Sequence, residues 1–346
     1  MKKRIAIDLG ASKVVVGTPE EGLRATGESL SATCGGDGAF LEIGGDHELF
    51  AAGGNEEVVL RRVFRDSTVV PEYTRAIIER EISRRAAEAP CERVLFSIPC
   101  GFGEVEENAL SEMAVSAGAH EVHLIYSPIA ALVGNGLDLS IPAVVVDIGA
   151  SRTDAIVICR GRIVYKKTYS VGGQAFDAAI AEYLLKKHKV IIDLDTAETV
   201  KIGVGTVWVG NERRTMEVRG RDATNGDYCS VRISSEEMLA ALEEPMAAII
   251  EGICQTITKI PPDSVQEVFG TGILLAGGGC LLEGIDKMIS GVTGVNASRL
   301  KNPQEAVGEG LLAILDSDYD LRKAGTRNIS RYMMKMSAKP KRGAME

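Results

Sequence analysis

Two stretches of the sequence place the same residue types in the same order. "IAIDLGASKVV" covers residues 5–15, and "VVVDIGASRTD" covers residues 144–154. Each has an aspartate near the end of an apolar run, then a glycine, Ala-Ser and a basic residue. A turn of glycine and small residues can direct several backbone N–H groups at one point, where they bind phosphate oxygens. The repeated stretch therefore predicts two phosphate-binding turns in one chain.

The aspartates of these turns, Asp8 and Asp147, predict a metal ion that arrives with the phosphates. A carboxylate cannot favourably contact a phosphate, but it can hold the water ligands of a Mg²⁺ ion that neutralises the phosphate charge. Turns often contain Asp-x-Gly, so a single match would be weak evidence. Two matches in similar strand contexts, one from each half of the chain, could grip a polyphosphate from opposite sides.

A third glycine-rich stretch, "LLAGGGCLLEGI" at residues 274–285, indicates where the rest of a ligand would lie. Three glycines after an apolar strand allow a flat ring or a sugar to approach the backbone closely. The helix expected after them begins with free backbone amides. Together with the two turns, this stretch predicts a nucleotide in a cleft.

The surrounding elements predict a duplicated α/β fold. Each turn joins two short β-branched runs, which is typical of a hairpin, and a third strand follows both times. Such an internal repeat indicates two related domains. Strands and helices alternate after each unit, as in mixed α/β proteins. The helices are predicted at 72–89, 104–117, from Pro128, at 174–190 and from a Ser-x-x-Glu capping box at Ser234 to about 259. Further strands are predicted at 92–99, at 121–126 and in a small β-rich insert at 206–233.

The composition excludes several classes of function. The 346 residues carry a net charge of −9, which argues against nucleic acid as a partner of the body of the protein. Seven cysteines never form Cys-x-x-Cys, and four histidines make no zinc set. No apolar stretch is long enough to span a membrane, and "MKKRIAID" leads directly into a strand. We therefore expect a cytoplasmic protein.

The motifs resemble those of the actin superfamily, specifically its bacterial MreB and MamK branch. "AIDLGASK" is similar to the first phosphate motif, "VVVDIGASRTD" to the second and "ILLAGGGCLLEGID" to the adenosine motif. "SVGGQAFDAAI", "TAETVKIGVG" and "TKIPPDSV" also resemble segments of this branch in the same order, and the match covers nearly the whole chain. The resemblance implies the duplicated actin-like, ribonuclease H-like ATPase fold.

The resemblance also implies a domain organisation. Domain I would cover 1–140, with a small subdomain inserted at about 29–70 and the tail 321–346 returning to it. Domain II would cover 141–320, with a small subdomain at about 175–241. ATP or ADP and Mg²⁺ would lie between the domains. The partner would be the protein itself, in head-to-tail filaments with paired protofilaments.

Individual ligand contacts follow from the same resemblance. Asp8 and Asp147 would face Mg²⁺ through water, and Gly172 and Gly173 would close on the phosphates. Glu198 and Lys201, one helical turn apart, match the ribose and adenine contacts; an ordinary solvated charge pair is the alternative. The complete set of nucleotide-binding residues is Asp8, Gly10, Ala11, Ser12, Lys13, Asp147, Gly149, Ala150, Ser151, Gly172, Gly173, Glu198, Lys201, Gly277, Gly278 and Gly279.

The chain departs from the branch at two positions that handle the attacking water. Relatives have a glutamate before the proline of a helix start, where this chain has Ser127 before Pro128. Arg152 replaces the first threonine of Gly-Thr-Thr in the second motif, and Lys13 replaces an asparagine in the first. A hydroxyl is a poor substitute for a carboxylate that orients water, so we expect slow or absent hydrolysis. Two alternatives are that Arg152 stabilises the transferred phosphoryl group, or that Arg152 and Lys13 point away from the ligand.

The C-terminal tail is basic, with eight Lys or Arg and one acidic residue between Leu321 and Glu346. Ile329, Tyr332, Met333 and Met336 have helical spacing, so the tail could bind an anionic membrane or an adaptor protein. A solvated tail is the alternative.

Two other functions share the predicted fold. A sugar or acetate kinase would need a substrate pocket and a catalytic base, and the sequence offers no clear candidate for that base. A pilus-assembly adaptor would bind nucleotide without forming long filaments. The interpretation favoured by the motifs is a nucleotide-dependent cytoskeletal filament with a mechanical role in cell shape, organelle positioning or segregation.

Overall fold

The computed structural model describes residues 3–28, 30–34, 40–43, 58–62, 64–65, 68–69, 71–86, 90–210, 213–316 and 327–328. The chain divides into two compact units. The first comprises 1–134 and 308–346, and the second comprises 135–307. The proposed small subdomain at 29–70 and the basic tail 321–346 lie largely outside the described residues.

The first unit is built on a six-stranded sheet. Its strands and those of its smaller sheets are β1 (Lys3–Leu9), β2 (Lys13–Thr18), β3 (Gly22–Glu28), β4 (Leu30–Cys34), β5 (Phe40–Ile43), β6 (Val58–Arg62), β7 (Phe64–Arg65), β8 (Thr68–Val69), β9 (Cys91–Ile98), β10 (Glu121–Tyr126) and β19 (Arg327–Asn328). The order in the large sheet is β19-β10-β9-β1-β2-β3. Its helices are α1 (Pro71–Ala86), α2 (Glu104–Ser116) and α3 (Ser127–Gly134).

The second unit is built on a five-stranded sheet and a smaller three-stranded one. Its strands are β11 (Ala143–Ile148), β12 (Thr153–Cys159), β13 (Arg162–Tyr169), β14 (Val190–Ile191), β15 (Thr215–Asp222), β16 (Tyr228–Ser234), β17 (Ile273–Ala276) and β18 (Ala297–Arg299). The sheet orders are β13-β12-β11-β17-β18 and β14-β15-β16. The helices are α4 (Gly173–His188), α5 (Leu194–Val204), α6 (Ser235–Ala241), α7 (Glu243–Ile257), α8 (Val265–Thr271), α9 (Ile285–Thr293) and α10 (Ala306–Asp316), the last crossing the unit boundary.

The two large sheets repeat one topology, as the duplicated motif predicts. In the first, β1, β2 and β3 form antiparallel neighbours, and β9 and β10 continue in parallel on the other side of β1. In the second, β11, β12 and β13 are the antiparallel strands, and β17 and β18 continue in parallel beside β11. Parallel strands need a crossover, which explains why helices separate them in sequence.

The central strands are buried on both faces, which explains their continuous apolar runs. In β11 the side chains of Val144, Val145 and Val146 are at most 1% exposed, and in β1 Ile5 and Ile7 are fully buried. The edge strand β13 instead alternates between exposed and half-buried side chains. The predicted hairpins and the positions of most helices are confirmed.

The long helix predicted from Ser234 to about 259 is wrong in one respect, because it is interrupted at Leu242. The capping box at its start is confirmed: Ser234 Oγ accepts a bond from the Glu237 amide, and Glu237 accepts one from the Ser234 amide. Pro245 has no N–H to donate to the carbonyl of Ala241, and its ring would clash there in a continuous helix. Two helices, α6 and α7, therefore replace one.

Candidate functional site

The first turn is organised around Asp8 near the end of β1. Asp8 lies opposite Val15 of β2 and opposite Ser97 of β9. The Ser97 side chain is buried, and its hydroxyl donates a hydrogen bond to Asp8 Oδ1. This bond fixes the direction of a carboxylate that itself is only half-buried.

The backbone of this turn is tight. A Cβ at Gly10 would lie 2.5 Å from the carbonyl oxygen of Lys13, so only glycine fits. Ala11 is buried, Ser12 is exposed and Lys13 is half-buried. The predicted residues of the first turn thus run from Asp8 in β1, through the loop 10–12, to Lys13 at the start of β2.

Ser127 lies at the same edge of the sheet as the first turn. It follows β10 and begins α3, and β10, β9 and β1 run parallel, so their carboxyl ends meet at one edge. The Ser127 side chain is buried, and its hydroxyl donates to the carbonyl oxygen of Ile98 at 3.3 Å. The hydroxyl is therefore held by the backbone at the end of β9.

The second turn is closed by the glycine pair at the start of α4, where Gly172 is the N-cap and Gly173 the first helical residue. The amide of Gly173 donates to the carbonyl of Gly149 at 2.9 Å, and the amide of Gln174 donates to that of Ala150 at 2.7 Å. These amides belong to the first turn of α4, where helix N–H groups have no partner inside the helix. A Cβ at Gly172 would lie 2.6–2.8 Å from three backbone atoms of the turn 149–152. Glycine at 172 is thus required by close approach of two backbone segments.

Arg152 is held by an acidic residue that the sequence interpretation missed. Its side chain is only 11% exposed, and its Nε lies 3.5 Å from Oδ2 of Asp154. Asp154 is buried and also accepts a hydrogen bond from Thr168. Thr153, which lies between Arg152 and Asp154 in the sequence, donates a hydrogen bond from its hydroxyl to the carbonyl of Val171 at 2.7 Å. The i, i+2 spacing on a predicted strand could have revealed the pair, because such residues share a face.

Lys201 reaches the start of α4 from α5. Its Nζ lies 2.8 Å from Oδ1 of Asp177, 3.3 Å from the carbonyl oxygen of Gly173 and 3.6 Å from Oε1 of Glu198. Lys201 and Glu198 are thus brought beside the glycine pair that closes the second turn. Asp177, which anchors Lys201, was not predicted from the sequence.

The glycine run after β17 packs on the end of β11. Gly277 has φ 80°, and a Cβ there would collide with the carbonyl of Ile148 and with the carboxylate of Asp147. A Cβ at Gly279 would collide with the Ile148 side chain. At Gly278 the nearest atoms, those of Gln304, would lie at 3.7 Å or more, an ordinary contact distance. Two glycines therefore serve packing, and Gly278 is the position with space beside it.

The aspartate of each turn, taken separately, suits a metal ion that arrives with its ligand. Among the described residues, no group of three or more His, Cys, Asp or Glu could hold a metal ion without further ligands. Mg²⁺ usually binds through one or two carboxylates together with substrate phosphates and water. Asp8 and Asp147, each beside a glycine turn, have the chemistry for such a role.

The strand order of the two sheets and the glycine turns at their carboxyl edges define an actin-like α/β protein. The chain belongs to the MreB/Mbl family, whose model matches residues 2–323. It is 29% identical to the cell shape-determining protein MreB of Escherichia coli K12 over 316 residues, covering 88% of this chain and 91% of that protein. It is 30% identical to the cell shape-determining protein Mbl of Bacillus cereus over 328 residues, covering 93% and 98%.

Solved structures support the same fold. MreB5 of Spiroplasma citri bound to ADP superposes with a TM-score of 0.83 and 25% identity, covering 90% of this chain and 95% of that one. The MamK double helical filament superposes with a TM-score of 0.75 and 20% identity, covering 92% and 99%. No helix in the part of the chain that the structure describes is both long and apolar enough to cross a membrane.

Proposed function

We propose that this chain binds ATP with Mg²⁺ and assembles with copies of itself, head to tail, into a filament with a mechanical role in the cell. The observation that carries the proposal is the second turn, 147–152, held to the start of α4 by two backbone hydrogen bonds, from Gly173 to Gly149 and from Gln174 to Ala150. A preformed turn of small residues suits phosphate oxygens because its backbone need not be ordered at the moment of binding.

Each part of the ligand has residues to receive it. The turns at Gly10 and Gly149 would hold the phosphates, because a glycine places no side chain of its own between the backbone amides and a ligand. Asp8 and Asp147 would hold water ligands of Mg²⁺, which neutralises phosphate charge when bound. Gly278 and the anchored Lys201 would receive the adenosine, with Glu198 as a partner for the ribose.

Hydrolysis is expected to be slow, because the residues available to activate water are poor bases. Ser127 is neutral and buried, and its hydroxyl already donates a hydrogen bond to the carbonyl oxygen of Ile98. Arg152 cannot accept a proton, because a guanidinium stays charged in proteins. A positioned general base contributes about 10²–10⁴-fold to such reactions, so its loss would leave nucleotide binding intact and slow turnover.

Self-assembly is supported by the relatives. MamK forms a double helical filament, and the curated MreB and Mbl relatives determine cell shape. The matches cover 91% of the Escherichia coli MreB and 95% of the Spiroplasma citri MreB5 chain. We propose the same kind of polymer here, with paired protofilaments.

The test replaces Ser127 and Arg152 with the glutamate and threonine that relatives have at these positions. Ser127→Glu with Arg152→Thr should raise phosphate release from MgATP by ~10-fold or more, because a carboxylate then orients the water. The matched control is Ser116→Glu with Arg219→Thr, which makes the same changes at exposed positions of α2 and β15. Equal release by the restored variant and the control, at equal thermal stability, would contradict the explanation of slow hydrolysis. ATP-dependent phosphorylation of a sugar or acetate by the unmodified chain would instead indicate a kinase.

A further inference from the structure

We propose that Asp154 is a positioning residue that holds the Arg152 guanidinium beside the second turn and thereby reduces the preference of that turn for a triphosphate over a diphosphate. This inference rests on the proposed nucleotide binding. It concerns a pair of side chains at the start of β12 that neither the motif nor the family comparison assigns.

Strand geometry brings the two side chains together. Arg152 directly precedes β12 and Asp154 is its second residue, so both side chains project from the same face. The Arg152 Nε lies 3.5 Å from Asp154 Oδ2, and the exposed fractions of the two side chains are 11% and 3%. A carboxylate–guanidinium attraction is stronger at such a site than at the surface, because little water screens it.

Asp154 is fixed from the neighbouring strand. Thr168 of β13 lies opposite Asp154 and donates a hydrogen bond to its Oδ1, which leaves Oδ2 for the arginine. On the other side, Asp147 of β11 lies directly opposite Asp154. Two carboxylates at directly opposite positions repel each other. The positive charge of Arg152 offsets this repulsion and allows both acids to lie at the end of the sheet.

The pairing changes what Arg152 can contribute to a ligand. A guanidinium beside a carboxylate forms a nearly neutral unit, so it attracts the additional negative charge of a third phosphate weakly. If the Asp154 carboxylate were removed, more of the positive charge of Arg152 would act next to the turn and favour the triphosphate. Asp154→Asn keeps the side-chain size and an oxygen for Thr168 while it removes the negative charge.

The experiment is a double-mutant cycle on the full chain. Isothermal titration calorimetry would measure the affinities for MgADP and for the Mg²⁺ complex of AMPPNP in the unmodified chain, Asp154→Asn, Arg152→Gln and the double variant. We expect Asp154→Asn to shift the affinity ratio toward the triphosphate analogue by ~5-fold or more. In the Arg152→Gln background the same change should alter the ratio by less than ~2-fold, because the cation is gone.

A second pair of variants separates positioning from general effects. Asp263→Asn removes the acid of the exposed Arg160–Asp263 pair in the same unit and should leave the ratio unchanged. Thr168→Val should shift the ratio in the same direction as Asp154→Asn, by a smaller factor, and it serves as the test if Asp154→Asn does not fold. Its shift should also disappear in the Arg152→Gln background.

The outcomes distinguish the two proposals. If the unmodified chain binds both nucleotides and the Asp154→Asn shift is the same with and without Arg152, this inference is wrong and nucleotide binding stands. A lower melting temperature with an unchanged affinity ratio would mean that the pair only stabilises the fold, and it would also overturn the inference. If the unmodified chain binds neither nucleotide, the proposed function itself is wrong, and this inference is wrong with it.

Discussion

The first and second turns share one backbone plan but surround their aspartates with different side chains. Asp8 has a hydrogen-bond donor, Ser97, on the parallel strand beside it, whereas Asp147 has the methyl group of Ala276 at the corresponding position. A serine at this position of the neighbouring parallel strand is therefore present in only one copy of the repeat.

The basic residue of each turn also has a different environment. Lys13 is followed two residues later by Val15, whereas Arg152 is followed by Asp154, which holds it. The strand after the crossover continues into Ile98 and Pro99 in the first unit but into Gly277 and Gly278 in the second. The duplicated topology thus supplies two similar turns, and individual residues give each a separate chemistry. In our account, the second unit receives the adenosine.

The largest expected effect on stability and nucleotide binding comes from a methyl group placed between the second turn and α4. Gly172→Ala would place a methyl group 2.6–2.8 Å from backbone atoms that cannot move independently. We expect a loss of ~1–3 kcal/mol in the free energy of unfolding, as for other overpacked sites, and at least ~10-fold weaker nucleotide binding. Thermal denaturation and calorimetric titration with MgADP would measure both.

Gly270→Ala is the matched control for that substitution. No atom lies within 4 Å of the Cβ position at Gly270, which is in α8. We expect it to leave nucleotide affinity unchanged and to raise stability slightly, by about 0.5–1 kcal/mol at most. Equal effects of the two alanines on nucleotide binding would contradict the role of the glycine pair.

A smaller effect on nucleotide binding is expected when either aspartate loses its negative charge. Mg²⁺ should tighten ADP binding by a factor ~10-fold smaller in Asp8→Asn and in Asp147→Asn than in the unmodified chain. Each substitution removes a carboxylate that would bind the water ligands of Mg²⁺. Titration with ADP in Mg²⁺ and in EDTA would give this factor. If one variant retained the full Mg²⁺ effect, only one turn would serve the metal, and the symmetric role proposed for the aspartates would be wrong.

The smallest effect should appear in the first turn alone. Ser97→Ala removes the hydrogen bond to Asp8 and should weaken Mg²⁺-dependent ADP binding by ~3–10-fold, about the net value of one ordinary intramolecular hydrogen bond. Ser111→Ala is the control, because Ser111 is also buried and donates to the carbonyl of Glu107 in α2. A similar loss of binding in the control would show that the difference between the turns does not arise from Ser97.

Most of the fold could be predicted from the sequence because the determining signals are local. β-Branched runs around Asp-x-Gly turns define the hairpins, and the capping box at Ser234 marks a helix start. The break at Leu242 was missed because the helical pattern continues through it, although Pro245 indicates it. The prediction followed the helical spacing of apolar residues and gave too little weight to the rule that proline interrupts a helix.

The site was predicted less completely because its supporting residues come from separate strands and helices. Ser97 and Asp177 each contact a predicted residue across an element boundary, and Thr168 contacts Asp154, the partner of the predicted Arg152, from another strand. Such contacts depend on strand register and helix packing, which a motif does not encode. Of the residues that support the site, only Asp154 lay within reach of a sequence rule, through its i, i+2 relation to Arg152.

Nucleotide-dependent assembly is the most direct test of the central claim. Purified protein with MgATP would be followed by light scattering and phosphate release in the same sample, with electron microscopy at the plateau. We predict filaments that form with MgATP and with the AMPPNP complex, while phosphate release lags far behind assembly. A chain that forms no polymer with either nucleotide, at concentrations where both are bound, would contradict the account.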